Sequence, residues 1–136
     1  YRIKGDNSLG PRETFVEYGA GTYPDGLAFD EEGAFWMTSV VSNRVVRVTA
    51  DREQTVVVEE NDAEQLAVVE KAFLASEMGR EHLDSIQTEV MKSISSIAFG
   101  GPDRRTAYLG NLLDTRLYTF ESPVPGFVPS HWNVRL

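Results

Sequence analysis

The sequence predicts an all-β fold, namely a partial β-propeller of about two to three blades with a helical insert. Three observations predict this fold. A unit of about 45 residues recurs along the chain, which is the usual length of a four-stranded blade. Each copy consists of short β-rich stretches separated by turns rich in Gly, Asp and Asn. A stretch with helical spacing of apolar residues lies between two copies.

The two best-preserved copies match segment by segment. Each has an apolar triplet, a Gly-containing acidic turn, an aromatic strand and a third strand that follows at the same distance. The matching segments are Leu27-Ala28-Phe29 and Ile97-Ala98-Phe99, then Phe35–Ser39 and Ala107–Asn111, then Arg44–Val48 and Arg116–Phe120. The agreement in order and spacing indicates structural repeats rather than chance similarity.

The strands can be assigned to blades from this alignment. Strands at Gly26–Phe29, Phe35–Ser39, Arg44–Val48 and Gln54–Glu59 are predicted to form one complete blade, and the second copy supplies three strands of another. An earlier copy is visible in Tyr1–Ile3 and Glu13–Tyr18, which resemble third and fourth strands. A propeller buries each blade against its neighbours in a ring. We therefore expect either the remaining propeller blades or a second copy of the chain as a partner. The chain opens inside a predicted strand without Met, which favours a processed or truncated N-terminus.

The segment 62–92 is predicted to be a largely helical insert between blades. Asp62 is a candidate helix cap, with Gln65 completing a capping box. Leu66, Val69 and Phe73 recur at helical spacing, so we expect a helix from about Ala63 to Met78 that stops at Gly79. The stretch 80–92 fits either a second helix or an extended linker. The insert could serve as a lid or partner surface, although a strut packed on the rim is the favoured interpretation.

Composition and charge exclude several classes of function. The formal net charge of -8 argues against a nucleic-acid partner, because phosphate binding requires clustered Lys and Arg. The chain has no Cys, and its two histidines, His82 and His131, lack spaced ligand partners. No apolar run is long enough to cross a bilayer, so no membrane partner is expected. We expect a soluble protein, with the cytoplasm as the favoured compartment.

Two motifs resemble a known family. One is Tyr23-Pro24-Asp25-Gly26 with the strand-turn-strand that follows it, and the other is the stretch Ser96 to Asp103, which contains Phe99-Gly100-Gly101-Pro102. Together with the segment Tyr118 to Gly126, they resemble the last blades of the gluconolactonase, regucalcin (senescence marker protein) and luciferin-regenerating enzyme family. The resemblance implies a six-bladed propeller of which residues 1–136 are the C-terminal part. It also implies one divalent cation, calcium or zinc, in the central channel of the complete propeller.

The resemblance further implies a metal-dependent hydrolase acting on lactones or related esters, with a small-molecule lactone or sugar-acid derivative as substrate. Asp25 matches the aspartate of the family's Pro-Asp-Gly element and is the candidate catalytic residue and metal ligand. A turn-forming Asp before Gly is the structural alternative. Ser95 is the repeat-equivalent residue and a candidate substrate-binding hydroxyl. A buried serine that hydrogen-bonds to the backbone is its structural alternative.

Most of the family's metal ligands come from earlier blades, so we predict little or no activity for an isolated monomer of this chain. Two other functions remain open from the sequence. One is a noncatalytic propeller that serves as a binding scaffold, since many folds of this kind only bind. The other is a strictosidine-synthase-like propeller, which would need a catalytic Glu and an apolar pocket for amine substrates.

Overall fold

Two antiparallel sheets make up the fold, with a helical segment between them in the chain. The computed structural model describes residues 1–129 and Trp132, so the sequence interpretation of His131 lies outside the described residues. The first sheet contains β1 (Tyr23–Phe29), β2 (Phe35–Val40), β3 (Arg44–Val48) and β4 (Gln54–Glu59) in that order. The second contains β5 (Ile94–Gly100), β6 (Thr106–Asn111) and β7 (Tyr118–Glu121) in that order. The all-β class predicted from the sequence is thus confirmed.

The predicted strands agree closely with those observed in both sheets. β3 and β4 have the predicted bounds, whereas β1 starts earlier, at Tyr23. The last strand starts at Tyr118 rather than Arg116. The Asp114 carboxylate accepts hydrogen bonds from the backbone N–H groups of Thr115 and Arg116. These bonds hold the segment in a turn, so the strand begins only after it.

The N-terminal segment is not strand, contrary to the sequence prediction. Between residues 1 and 22 the described structure contains an isolated bridge between Ile3 and Leu9, and the predicted strand 13–18 is irregular. A strand needs a neighbouring strand for its backbone hydrogen bonds. Among the described residues, no strand of either sheet pairs with residues 13–18. Val16 and Tyr18 nevertheless pack against the face of the first sheet that carries Met37 and Val46.

The main hydrophobic core lies between the two sheets. Trp36 is fully buried there, and its ring meets Phe99 edge to face with centroids 5.4 Å apart. The other buried core members are Val45, Met91, Ile94, Ile97, Ala107 and Leu109. Burial of one large aromatic side chain contributes about 2–3 kcal/mol to folding. The two sheets are therefore held together by their apolar faces, with β1 and β2 both packed against β5.

The buried carboxylate of Asp30 stabilises the turn that follows β1, at the end of the strand away from the helical segment. Asp30 is fully buried and accepts hydrogen bonds from the backbone N–H groups of Glu32 and Ala34, at 3.0 Å each. Its second oxygen accepts from the Trp36 indole at 2.9 Å and from the Arg47 guanidinium at 2.8 Å. Both oxygens of Asp30 are thereby used to tie the β1–β2 turn to β2 and β3.

The helical segment contains α1 (Ala63–Leu74) and a short α2 (Arg80–Leu83). Asp62 caps α1 as predicted, accepting from the N–H groups of Glu64 and Gln65. The capping box is wrong, because the Gln65 side chain donates to the Ser85 hydroxyl instead. The helix ends at Leu74 rather than Met78. Ser76 adopts a left-handed conformation with φ +59°, which terminates the hydrogen-bonding pattern of the helix.

The helical segment packs on the end of the first sheet where β1 begins. Val69 and Ile86 are buried against Tyr23, Val40 and Val41. After α2 the chain continues without further helix to β5, and the described residues contain no helix long and apolar enough to cross a membrane. The helical segment is thus part of the packed structure at this end of the sheet.

The connection into β5 is held by the Glu60 carboxylate. Glu60 accepts hydrogen bonds from three successive backbone N–H groups, those of Glu89, Val90 and Met91, with the shortest at 2.6 Å. Burial alone would raise the pKa of Glu60, but these three bonds and the charge of Lys92 outweigh it and lower the pKa below its ordinary value. The end of β4 is thereby attached to the start of the second sheet.

Candidate functional site

Asp25 lies in a β-bulge near the start of β1. Pro24 pairs with Ser39 and Leu27 pairs with Met37, so Asp25 and Gly26 together face Thr38 across the sheet. A bulge adds one residue to a strand and changes the direction of its side chains, and bulges are frequent beside active sites. Asp25 is exposed, and its carboxylate makes no hydrogen bond within the part of the chain that the structure describes. The carboxylate is therefore available to a ligand.

Ser95 lies in an equivalent bulge near the start of β5. Ile94 pairs with Asn111 and Ser96 with Gly110, which leaves Ser95 as the extra residue. The two sheets thus share the irregularity as well as the strand order. Ser95 is half-buried, and no hydrogen bond of its hydroxyl is seen to the described residues.

The two bulges meet at Gly26. A Cβ atom placed on Gly26 would lie 2.5 Å from the carbonyl oxygen of Ser95 and 2.6 Å from the Cα of Ser96. Both distances are far below van der Waals contact, and both neighbours are main-chain atoms that have little freedom to move. Only glycine permits this approach of β1 to β5. The segments that carry Asp25 and Ser95 are consequently side by side.

Two hydroxyl groups on β2 fix the shape of the Asp25 bulge. The Thr38 hydroxyl accepts a hydrogen bond from the Gly26 N–H at 3.0 Å, and the Ser39 hydroxyl accepts one from the Tyr23 N–H at 2.8 Å. Thr38 and Ser39 are both fully buried. They replace ladder bonds that the bulge removes, since a buried N–H without a partner is costly. The backbone on both sides of Asp25 is thereby anchored to β2.

Asn43 connects the β2–β3 turn with the start of β5. Its amide nitrogen donates to the Thr88 hydroxyl and to the Met91 carbonyl, at 3.0 Å each, and its amide oxygen accepts from the Ile94 N–H at 3.0 Å. Asn43 is fully buried and has φ +45°. Asn tolerates this left-handed region better than most residues. Ile94 directly precedes Ser95, so Asn43 ties the second bulge to the first sheet.

The metal expected at this site is not accounted for by the described residues alone. No group of three Asp, Glu or His side chains among residues 1–129 and Trp132 comes close enough to hold a metal ion together. Asp25 offers a carboxylate oxygen, which suits calcium or zinc chemically. One such ligand does not make a site. Residues 1–129 and Trp132 by themselves therefore do not form a complete metal centre.

His82 serves a local structural purpose. Its Nδ1 accepts a hydrogen bond from the Gly79 N–H at 3.0 Å, at the start of α2. The ring is thereby attached to the start of this short helix.

The sequence reasoning missed the residues that shape the site. Thr38, Ser39 and Asn43 were not singled out, because their roles depend on which strands lie side by side. A signal was present for one of them: Asn43 follows Ser42 between two β-rich stretches, a position typical of left-handed turn residues. The two bulges have no comparable signal, although Gly26 marks the place of the first.

The chain is similar to known proteins in sequence and in structure. The family model described as SMP-30/Gluconolactonase/LRE-like region matches residues 1–69. A 6-deoxy-6-sulfogluconolactonase of Pseudomonas putida is 27% identical over 118 residues, which covers 85% of this chain and 31% of that protein. A solved structure of a luciferin-regenerating enzyme aligns with a TM-score of 0.47 and 19% identity, covering 78% of this chain and 30% of that one. The chain therefore spans about a third of the length of the proteins it matches.

Proposed function

We propose that this chain, which belongs to the SMP-30/gluconolactonase/LRE-like family, is part of a gluconolactonase-like hydrolase. The proposed substrate class is a small-molecule lactone or sugar-acid derivative. Family membership and the lactonase relative support this class of substrate. The sulfogluconolactonase acts, by its name, on a lactone of a sugar acid.

The proposed architecture is two consecutive blades of a six-bladed propeller, with residues 1–136 as the C-terminal part of that domain. The shared bulge positions and the packing of β1 against β5 support the assignment of these two strands as neighbouring inner strands. A ring of this kind needs more blades than the two sheets supply. The remaining blades, or a second copy of the chain, are the proposed partner.

The observation that carries the proposal is the position of Asp25. An exposed carboxylate that has no hydrogen-bond partner among the described residues lies on a rigid bulge, beside the segment that carries Ser95. A carboxylate of this kind suits proton transfer, because no donor among those residues competes for its oxygens. The rigid backbone on both sides suits catalysis as well, since reacting groups must be held in a fixed geometry.

The proposed role of Asp25 is that of general base. As a water oxygen adds to the lactone carbonyl carbon, Asp25 accepts the proton that the water loses. Collapse of the tetrahedral intermediate breaks the ring C–O bond, and the proton passes from Asp25 to the leaving alkoxide, which gives the open hydroxy acid. Ser95 is proposed to donate a hydrogen bond to a substrate oxygen from the neighbouring bulge.

One divalent cation, calcium or zinc, is the proposed cofactor of the complete propeller. Asp25 would supply one oxygen ligand, and the other ligands would come from outside the described residues. A bound cation would polarise the lactone carbonyl or lower the pKa of the attacking water.

Replacement of Asp25 tests the proposed function. We expect Asp25→Asn to lower kcat for D-glucono-1,5-lactone at least about 100-fold, because loss of a general base costs that much. The assay follows proton release by the assembled protein, since the isolated chain is expected to be nearly inactive. The matched control is Asp51→Asn, an exposed aspartate in the turn between β3 and β4, which should leave kcat unchanged.

Three outcomes are informative for this test. Full activity in Asp25→Asn would contradict the assigned role of Asp25. A wild-type protein that binds the lactone without hydrolysing it would instead favour the noncatalytic scaffold. Loss of activity in both variants would point to a general effect of charge on the acidic chain rather than to a site.

A further inference from the structure

The helical segment reaches the start of β1 through a single carboxylate oxygen. The Oε2 atom of Glu70, on α1, accepts a hydrogen bond from the Gly21 N–H at 2.8 Å and another from the Tyr23 hydroxyl at 2.7 Å. Glu70 is separated from these residues by almost 50 positions in sequence, so this is a tertiary contact. One side chain thereby holds both the turn before β1 and the first residue of β1.

The surroundings of Glu70 make this contact rigid. Gly21 has φ +71°, and a Cβ there would lie 2.9 Å from a methyl group of Leu66 on α1. The Tyr23 ring is buried and packs edge to face on Phe73 of α1, with centroids 5.5 Å apart. The helix and the start of β1 are therefore in contact over about two turns of α1, from Leu66 to Phe73.

The same tyrosine also determines the backbone near Asp25. The Tyr23 N–H is bound by Ser39, so the residue is fixed at its main chain by β2 and at its hydroxyl by α1. Asp25 follows two residues later, inside the bulge. Only Pro24 separates Tyr23 from Asp25, so we expect a displacement of Tyr23 to change the position of Asp25.

The charge states of Glu70 and Tyr23 at neutral pH favour this contact. The hydrogen bonds from Tyr23 and Gly21 lower the pKa of Glu70, so the acceptor stays ionised. Burial, together with Glu70 itself, raises the pKa of Tyr23, so the phenol stays a donor. A charged acceptor gives stronger hydrogen bonds than a neutral one.

We infer that Glu70 is a positioning residue for Asp25, through which the helical segment sets the geometry of the lactone-hydrolysing site. The inference rests on the proposed function of Asp25. It gives the helical segment a role, which is to fix the start of β1. The family motifs in β1 and β5 do not indicate this role.

The test compares three substitutions on α1 in the assembled protein. Glu70→Ala removes both hydrogen bonds, whereas Glu70→Gln keeps an oxygen that can accept both. Glu64→Ala is the matched control, because Glu64 is exposed on the same helix and its carboxylate makes no hydrogen bond to the described residues. Each variant is assayed for kcat and KM on D-glucono-1,5-lactone. Backbone amide hydrogen exchange of residues 20–26 is measured in parallel.

We expect Glu70→Ala to lower kcat about tenfold while KM stays within about twofold, because a small misplacement of a reacting group acts on the transition state. Amide exchange in residues 20–26 should accelerate in the same variant. Glu70→Gln should recover at least about half of the wild-type kcat, since geometry rather than charge is required. Tyr23→Phe removes one of the two hydrogen bonds and should give an intermediate kcat. It replaces Glu70→Ala as the test variant if Glu70→Ala does not fold.

Other results would overturn the inference. Unchanged kcat in Glu70→Ala, or a change in KM alone, would show that the contact has only a structural role. An equal effect of Glu70→Ala in wild-type and Asp25→Asn backgrounds would show that Glu70 does not act through Asp25. A wild-type protein without hydrolysis would overturn the proposed function and this inference together. That result is distinguishable from a failure of the inference alone, because it is seen in the wild-type protein before any substitution is made.

Discussion

Two aspartates on β1 and its following turn, five positions apart in the chain, have opposite environments. Asp30 is fully buried, and both of its oxygens accept hydrogen bonds, two of them from backbone and two from side chains. Asp25 is exposed and makes no hydrogen bond within the described residues. The strand that carries them is otherwise continuous apart from the bulge at Asp25.

This difference distinguishes a structural carboxylate from an available one. A buried carboxylate is stable only when protein donors occupy its lone pairs, and those donors then exclude a substrate or metal. An exposed carboxylate on a rigid backbone costs little to maintain and keeps its oxygens free for chemistry. The same residue type thus serves folding at one end of the strand and is proposed to serve catalysis at the other.

The largest expected effect is on the free energy of unfolding, and it distinguishes Asp30→Asn from the same substitution at Asp25. Asp30→Asn should lower the free energy of unfolding by about 3–5 kcal/mol, because it leaves the Arg47 guanidinium without its buried partner. Asp25→Asn should change it by less than about 0.5 kcal/mol, as is usual for exposed positions. Urea denaturation measures both. Equal destabilisation by the two substitutions would remove the distinction drawn between them.

A smaller effect is expected at Asn43, which ties the second bulge to the first sheet. Asn43→Ala should cost about 2–3 kcal/mol, since buried groups of Met91 and Ile94 lose their partner. Asn43→Gly loses the same bonds but accepts φ +45° without strain, so it should be about 1 kcal/mol more stable than the Ala variant. Urea denaturation of the two variants checks the order. A more stable Ala variant would be inconsistent with a strained turn at this position.

The smallest effect is a dependence on pH at Glu60. Because folding lowers the pKa of Glu60 below its ordinary value of 4.5, its stabilising contribution is complete above that pH and is lost as the pH falls through the folded-state pKa. The stability difference between wild type and Glu60→Gln should therefore shrink from pH 6 to pH 3. Thermal unfolding across this range measures it. A difference that grows toward acid would mean that the backbone bonds to Glu60 do not lower its pKa.

Much of the fold follows from local sequence information. The repeat located every strand of both sheets to within a few residues, because strand length and turn chemistry are encoded locally. The end of α1 was misplaced because a left-handed Ser76, rather than the conspicuous Gly79, terminates the helix. The N-terminal strands were wrong for a different reason, since strand formation depends on partners outside the segment itself.

The site could be predicted only in part. Asp25 and Ser95 were identified through the family motif and the repeat, but their functional roles remain proposals. Asp30 was missed because its partners Trp36 and Arg47 lie on other strands, and the pairing register that brings them together is a tertiary property. Glu70 was missed for the same reason, since its partners lie almost 50 positions away.

The glycine at position 26 has a consequence for how such a site can diversify. Because main chain meets main chain there, the separation of β1 and β5 is set by backbone contact and not by the size of a side chain. Exposed residues on either side of this contact can therefore be exchanged without changing the distance between the two strands. In the proposed site, substrate preference can change by replacement of those residues, whereas the spacing of the segments that carry Asp25 and Ser95 is preserved by a residue that has no side chain.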